Sequence, residues 1–223
     1  PTPAASAVAW SEQDAARFLG SFELPRGGGL FRIERCATGL QLAGIGLQAS
    51  ARLQAGRWPP PGEDRLRKAE DRGLSLLHKV LADDASVDGQ GFESASVGTT
   101  ARQELREWVA KNGKPARVDY AGTTTAGHGE TWFRLQSAGA EAMVRAAWNA
   151  RGEWLRCAIA AEPFPFVVPL VPVRADVAIG TLADGTEVVL TMEGAKDRRV
   201  LVFEDSTPGE AGLLDCPQAP PGR

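Results

Sequence analysis

The sequence predicts an α+β protein: helices packed on a curved antiparallel sheet, with a small β-rich N-terminal module and a C-terminal hairpin. Three observations predict it. A helical pattern that opens at Thr99 or Thr100 is followed, as far as Ala161, by four strand-like runs joined by short turns. Residues 63–81 place Leu66, Ala69, Leu74, Leu77, Val80 and Leu81 at helical spacing, with Arg65, Arg67, Lys68, Asp71 and Arg72 on the other faces. Residues 177–182 and 187–192 alternate on either side of Ala183-Asp184-Gly185 and read as a hairpin.

The chain has 223 residues, 43% of them hydrophobic and 24% charged, which suits one large domain or two small ones with a substantial core. Its 25 basic and 28 acidic residues leave a formal charge of -3. That balance offers no basic field for a phosphate backbone, so nucleic acid is not an expected partner. The longest apolar stretch, 163–173, is interrupted by Pro165, Pro169 and Pro172 and is shorter than the roughly 20 residues of a membrane span. The Pro/Ala-rich opening, residues 1–10, reads as a linker left after removal of a signal peptide or an upstream domain. That reading favours a bacterial chain in a periplasmic or secreted setting.

From the linker onward the pattern divides into modules. Residues 11–56 form the first: Ser11 caps a short helix with Asp14 in its first turn, and Gly20 closes it. Phe22 and Leu24 then run into Pro25 and the glycines Gly27, Gly28 and Gly29, a hairpin loop. A phosphate-cradling loop needs a helix after it, whereas residues 30–35 alternate as a strand. Runs at 40–43 and 47–53 complete a three-stranded meander over 30–53.

A short helix ending in Phe18-Leu19-Gly20, then Ser21-Phe22-Glu23-Leu24, a glycine loop and short strands resembles the region that follows the catalytic domain in many beta-lactamase-like serine hydrolases. The resemblance covers residues 10–53. That family's catalytic motifs are a Ser-x-x-Lys nucleophile, a Tyr or Ser with an Asn two residues on, and Lys-Thr-Gly. Ser75 and Lys79 are one residue too far apart, and Lys111-Asn112-Gly113 sits in a helical pattern. The resemblance therefore implies an accessory region and carries over no catalytic residue.

The proline run Pro59-Pro60-Pro61 marks a spacer, and residues 63–161 form the second module. After the helix at 63–81, in which His78 receives no chemical role, residues 82–97 read as a loop. Thr100 with Gln103 then fits a capping box, Glu104 suits the first turn, and Asn112-Gly113 stop the helix. Leu105, Trp108 and Val109 form its packing side. Strands are expected at 117–122, 131–137, 142–149 and 154–161, with turns at Gly127-His128-Gly129, Gly139 and Ala150-Arg151-Gly152. Helices followed by a meander resemble the cone-shaped fold of nuclear transport factor 2, ketosteroid isomerase and polyketide cyclases, which hosts enzymes and non-enzymes alike. Residues 162–205 follow as a proline-interrupted edge strand or strap and a hairpin, with 199–203 as a third strand, and 206–223 as a mobile tail.

Strand alternation sorts the candidate site residues. One parity gives Thr131, Phe133 and Leu135 with Leu155, Cys157 and Ile159, an apolar face. The other gives Trp132, Arg134 and Gln136 with Trp154 and Arg156, and Trp148 lies on the strand between. Trp132, Arg134, Trp148, Trp154 and Arg156 are therefore the candidate ligand-binding set, suited to an acidic or aromatic small molecule or to another protein domain. An isomerase reading needs an acid and a base converging in a pocket, but Asp119 and Tyr120 are adjacent on a strand and point to opposite faces. Asp119 with His128 or Glu130 is the remaining polar group. Cys36, Cys157 and Cys216 show no metal-ligand spacing, and Cys157 reads as a buried small hydrophobe on a strand. The sequence thus predicts a non-catalytic accessory or ligand-binding module, without metal or cofactor. The alternative is a stand-alone small-molecule binding or isomerase-like protein with a pocket between the central helix and the sheet.

Overall fold

A computed structural model of the chain describes residues 10–25, 28–53, 63–124, 129–161, 163–182, 185–194, 199–205 and 213–220. The side chains of 63–66, 69, 88, 89, 203, 205 and 213 are not described. Linker residues 1–9, Gly27, the proline run 59–61, Gly127 and His128, Ala183 and Asp184, and tail residues 206–212 and 221–223 lie outside the described residues. The chain is α+β and forms two compact units, Pro1–Arg57 with Phe166–Arg223, and Trp58–Pro165.

The first unit begins with helix α1, Glu12–Phe18, capped by the Ser11 hydroxyl, which accepts the Asp14 N–H at 3.0 Å. Strands β1 (Gly20–Glu23), β2 (Leu30–Cys36) and β3 (Gly39–Ile45) follow as antiparallel neighbours, and the Leu24 N–H to Gly29 carbonyl bond closes the first hairpin. Helix α2, Leu47–Leu53, comes next, where the sequence pattern suggests a strand. Leu47, Ala49, Ala51 and Leu53 alternate, but small residues fit both periods. Here the Gly28 carbonyl accepts the N–H groups of Gln48 and Ala49, and the Ser50 hydroxyl donates to the Gly46 carbonyl at 2.7 Å. Those partners satisfy the first turn, and Ala49, Ser50 and Leu53 are buried at helical spacing.

The chain returns to this sheet with β8 (Val167–Arg174), β9 (Val177–Thr181), β10 (Glu187–Glu193), β11 (Val200–Asp205) and β12 (Leu213–Pro217). The order is β1-β2-β3-β8-β9-β10-β11-β12, so the strands of 11–56 and those of 162–205 share one eight-stranded antiparallel sheet rather than forming separate modules. The joint is β3 on β8, from Leu40 opposite Leu170 to Ala43 opposite Val167. β8 is thus an interior strand, not an edge. It accommodates Pro169 and Pro172 because its pairing is staggered: 167–170 face β3, and 170–174 face β9 with an irregularity after Pro172.

The last expected tail residues form β12. A bridge between Phe22 and Gln218, with the Ala219 N–H on the Ser21 carbonyl at 2.8 Å, brings the two edges together and curls the sheet nearly into a barrel. Short length and flanking prolines hide this strand in the sequence, yet Cys216 and Ala219 are buried. Phe18, Phe22, Phe31, Leu42, Val188 and Leu190 belong to the core that fills the interior. All three cysteines are free thiols, and burial raises the Cys216 thiol to about 11.

The second unit opens with α3 (Glu63–Leu81), a 3-10 turn at Ala85–Gly89, and α4 (Ala95–Asn112). α4 starts a turn before the expected cap. Its N-cap is Ser94, whereas Thr100 lies inside the helix and donates to the Ser96 carbonyl at 2.9 Å. Strands β4 (Arg117–Thr124), β5 (Glu130–Gln136), β6 (Glu141–Trp148) and β7 (Trp154–Ile159) form an antiparallel meander in chain order. α3 packs on β4 and β5, while α4 packs on β7. Glu104 of α4 accepts the Ile159 N–H at 2.9 Å, capping the open edge of the sheet with a helix. Leu77, Leu105, Phe133, Leu135 and Val144 are fully buried between these layers.

Because β12 completes the first sheet, truncating the chain after Gly212 removes buried Cys216 and Ala219 and the bridge to β1. Thermal unfolding of that variant is expected on the order of 10 °C below the full chain, the equivalent of about 3 kcal/mol. An unchanged melting temperature is the result expected of a tail that makes no contacts.

Candidate functional site

The site of the second unit is built where α3 crosses the face of the sheet. At Gly73 the helix comes so close that a Cβ would lie 2.5 Å from Phe133 Cζ, so only glycine permits this approach. Beside that contact a cleft of about 230 Å³ opens, lined by Lys68, Arg72 and Gly73 from α3, by Thr131, Trp148 and Trp154, and by the 150–152 turn. Trp148 and Trp154 supply aromatic walls. Lys68, Arg72 and Arg151 supply a cationic rim.

Two register shifts put these groups on one face. Between β6 and β7, Ala147 pairs with Arg156 but Trp148 pairs with Trp154, leaving Leu155 as an extra residue. The bulge turns Trp154 to the side of Phe133, with ring centroids 6.0 Å apart, and Phe92 meets it edge-on at 5.6 Å. Between β4 and β5 a second shift leaves Ala121 extra, so Tyr120 and Thr123 share the same face. There the Tyr120 hydroxyl donates to Thr123 Oγ1 at 2.8 Å, Thr123 and Thr131 are joined at 3.1 Å, and Trp148 Nε1 donates to Thr131 Oγ1 at 3.1 Å. This chain fixes the Trp148 ring at the cleft.

The rim is held by the turn after β6. Asn149 Oδ1 accepts the N–H groups of Arg151 and Glu153, and its amide donates to Glu153 at 2.9 Å. Arg151 pairs with Glu153 at 2.7 Å. The Asn149 hydrogen bond, followed by the charge of Arg151, holds the Glu153 carboxyl below its usual range. Gly152 adopts a left-handed φ of +74°, and a Cβ there would come within 3.0 Å of Arg72 Nη1, so the turn leaves space for that guanidinium. Among the described residues, neither Lys68 nor Arg72 forms an ion pair.

The five candidate side chains are thereby divided. Trp148 and Trp154 line the cleft. Trp132 and Arg134 lie on the opposite face of β5, both buried, with Trp132 edge-on to Phe164 at 5.9 Å. Arg156 is exposed. The five do not share one face as alternation predicts, because the bulge at Leu155 moves Trp154 across the sheet, and Trp132 and Arg134 are buried rather than exposed. Lys68, Arg72 and Thr131 were not in the candidate set. The charged side of the helix at 63–81 was the only signal for the first two.

Asp119 and Tyr120 do face apart, as strand geometry requires. Asp119 takes Arg117 at 2.6 Å and Arg134 at 2.9 Å, while Tyr120 stacks edge-on to Phe133. Burial pushes the Tyr120 hydroxyl far up, and it donates to Thr123. Both groups are thus engaged in structural bonds. Cys157 is a buried side chain on β7 whose thiol is likewise raised by burial, and His78 is exposed on α3.

No family model, curated protein or solved structure matches this chain. Among the described residues, no cluster of three or more His, Cys, Asp or Glu side chains is placed to hold a metal ion, and no helix is long and apolar enough to cross a membrane.

Glu70, between Lys68 and Arg72, offers a check on the electrostatics beneath the cleft. Burial, then the neighbouring charge of Asp71, raises its carboxyl above the usual range, with Arg67 opposing. A raised folded-state value means that ionisation penalises the fold above it and costs nothing at low pH. Glu70→Gln is therefore expected to raise the melting temperature at pH 7, with the difference closing as pH falls through the Glu70 titration. A Gln variant less stable at pH 7, or one whose advantage grows on acidification, contradicts this placement.

Proposed function

We propose that this chain is a non-catalytic ligand-binding module whose cleft between α3 and the sheet takes a small anion carrying a flat ring. The observation that supports it is the meeting of Lys68 and Arg72, which form no ion pair among the described residues, with the indoles of Trp148 and Trp154 around one cavity. Indole faces give large contact area at low entropic cost, and a guanidinium reads a carboxylate by paired hydrogen bonds. At about 230 Å³ the cleft lies below the usual range for drug-sized ligands, which favours a single-ring compound.

The resemblance of residues 10–53 to the accessory region of beta-lactamase-like serine hydrolases extends the proposal. In that setting, bacterial and outside the cytoplasm, the cleft positions or restricts the anionic part of a substrate handled by a neighbouring hydrolase domain. The isomerase-like alternative lacks support from Asp119 and Tyr120, whose polar atoms serve other bonds.

Intrinsic fluorescence tests the cleft directly. Benzoate is expected to quench the tryptophan signal saturably, while benzylamine, with the same ring and opposite charge, does not. Arg72→Ala is expected to weaken benzoate binding about tenfold, the loss of one charge-assisted hydrogen bond. Equal responses to both compounds, or an Arg72→Ala titration identical to that of the native chain, would remove the cleft from the account.

A further inference from the structure

A second cavity, of about 210 Å³, lies against the same helix and shares Arg72 with the cleft. It is lined by Arg72, Ser75, Leu76 and Lys79 of α3 and by Gln90 and Gly91 of the loop that leads to α4. Lys68, Arg72, Ser75 and Lys79 fall within an arc of about 60° on a regular helix, so one stripe of α3 borders both spaces. Along that stripe Lys79 stands about 10.5 Å beyond Arg72. The loop wall is tied to an indole of the cleft: the Gly91 carbonyl accepts the Trp154 N–H at 2.7 Å, and the Trp154 carbonyl accepts the Glu93 N–H at 3.0 Å. The two cavities are therefore built on the same helix and the same tryptophan.

Among the described residues, no acidic side chain lines either space. Glu153, which feels the charge of Arg72, is bonded to Asn149 and Arg151. Asp84, which feels the charge of Lys79, is fully exposed and accepts the Ser86 N–H at 2.9 Å. Lys79 forms no ion pair among the described residues. With Arg72 assigned to a first carboxylate, the second cavity still offers the Lys79 ammonium, the Ser75 hydroxyl and the Gln90 amide, all hydrogen-bond donors. We propose that the ligand of this site is a dianion, with an aromatic ring on Trp148 and Trp154, one carboxylate at Arg72 and a second carboxylate at Lys79. The inference rests on the reading of the cleft as a site for a ring-bearing anion, and it names the ligand class: an aryl-bearing dicarboxylic acid whose second acid lies a few bonds past the first.

Calorimetric titration of the full chain with three compounds at one ionic strength tests this. N-benzoylglycine carries the ring and one carboxylate, N-benzoylglutamate adds the second carboxylate, and N-benzoylglutamine matches the latter in size with a neutral amide. N-benzoylglutamate is expected to bind about tenfold more tightly than N-benzoylglutamine, the value of one charge-assisted hydrogen bond. Lys79→Met, a change at an exposed position of α3, is expected to erase that difference and to leave N-benzoylglycine binding unchanged. The inference is overturned if the glutamate and glutamine compounds bind equally to the native chain, if Lys79→Met binds N-benzoylglutamate as the native chain does, or if it weakens N-benzoylglycine to the same extent. In each of those outcomes N-benzoylglycine still binds the native chain, and the reading of the cleft stands without the second acid. Failure of all three compounds to bind overturns both.

Discussion

The cleft depends on one extra residue. Strict alternation along β7 would send Trp154 to the same side as Arg156, away from α3, and Trp148 would face the helix alone. The shift that leaves Leu155 unpaired turns Trp154 back toward Phe133, so two indoles share a wall. The matching shift at Ala121 brings Tyr120 and Thr123 onto the same side and completes the hydrogen-bonded chain that ends on Trp148 Nε1. Close approach of α3 at Gly73 then sets the depth of the space between helix and sheet.

The charges around that space follow from local geometry as well. Lys68 and Arg72 lie one helical turn apart on α3, and Glu153, whose carboxylate also feels the charge of Arg72, is hydrogen-bonded to Asn149 and paired with Arg151. Glu70 is held on the buried side, where ionisation is disfavoured. A cationic rim above aromatic walls is the outcome. The first unit is organised differently: Phe18, Phe22 and Phe31 belong to the core enclosed by its nearly closed sheet.

Much of this architecture was legible in the sequence. The helix at 63–81 and the four-stranded meander stand where periodicity places them, because long amphipathic and alternating runs leave one face to bury. The misses have specific causes. Leu47–Leu53 is too rich in alanine and leucine to separate a two-residue from a helical period. β12 is short and bounded by prolines, and its role appears only when Gln218 meets Phe22. The pairing of β3 with β8 joins residues more than a hundred positions apart, a distance that local pattern does not bridge. Of the candidate set, Trp148 and Trp154 line the cleft, but a bulge is invisible to parity counting, so Trp132 and Arg134 were grouped with them on a face they do not share.

The central claim is that the space between α3 and the bulged end of the sheet is a ligand site. The most direct measurement is a crystal structure of the full chain soaked in benzoate. The account predicts a ring lying against Trp148 and Trp154 with its carboxylate at Arg72. Benzoate bound elsewhere, or a cleft holding only solvent at saturating concentration, would contradict it.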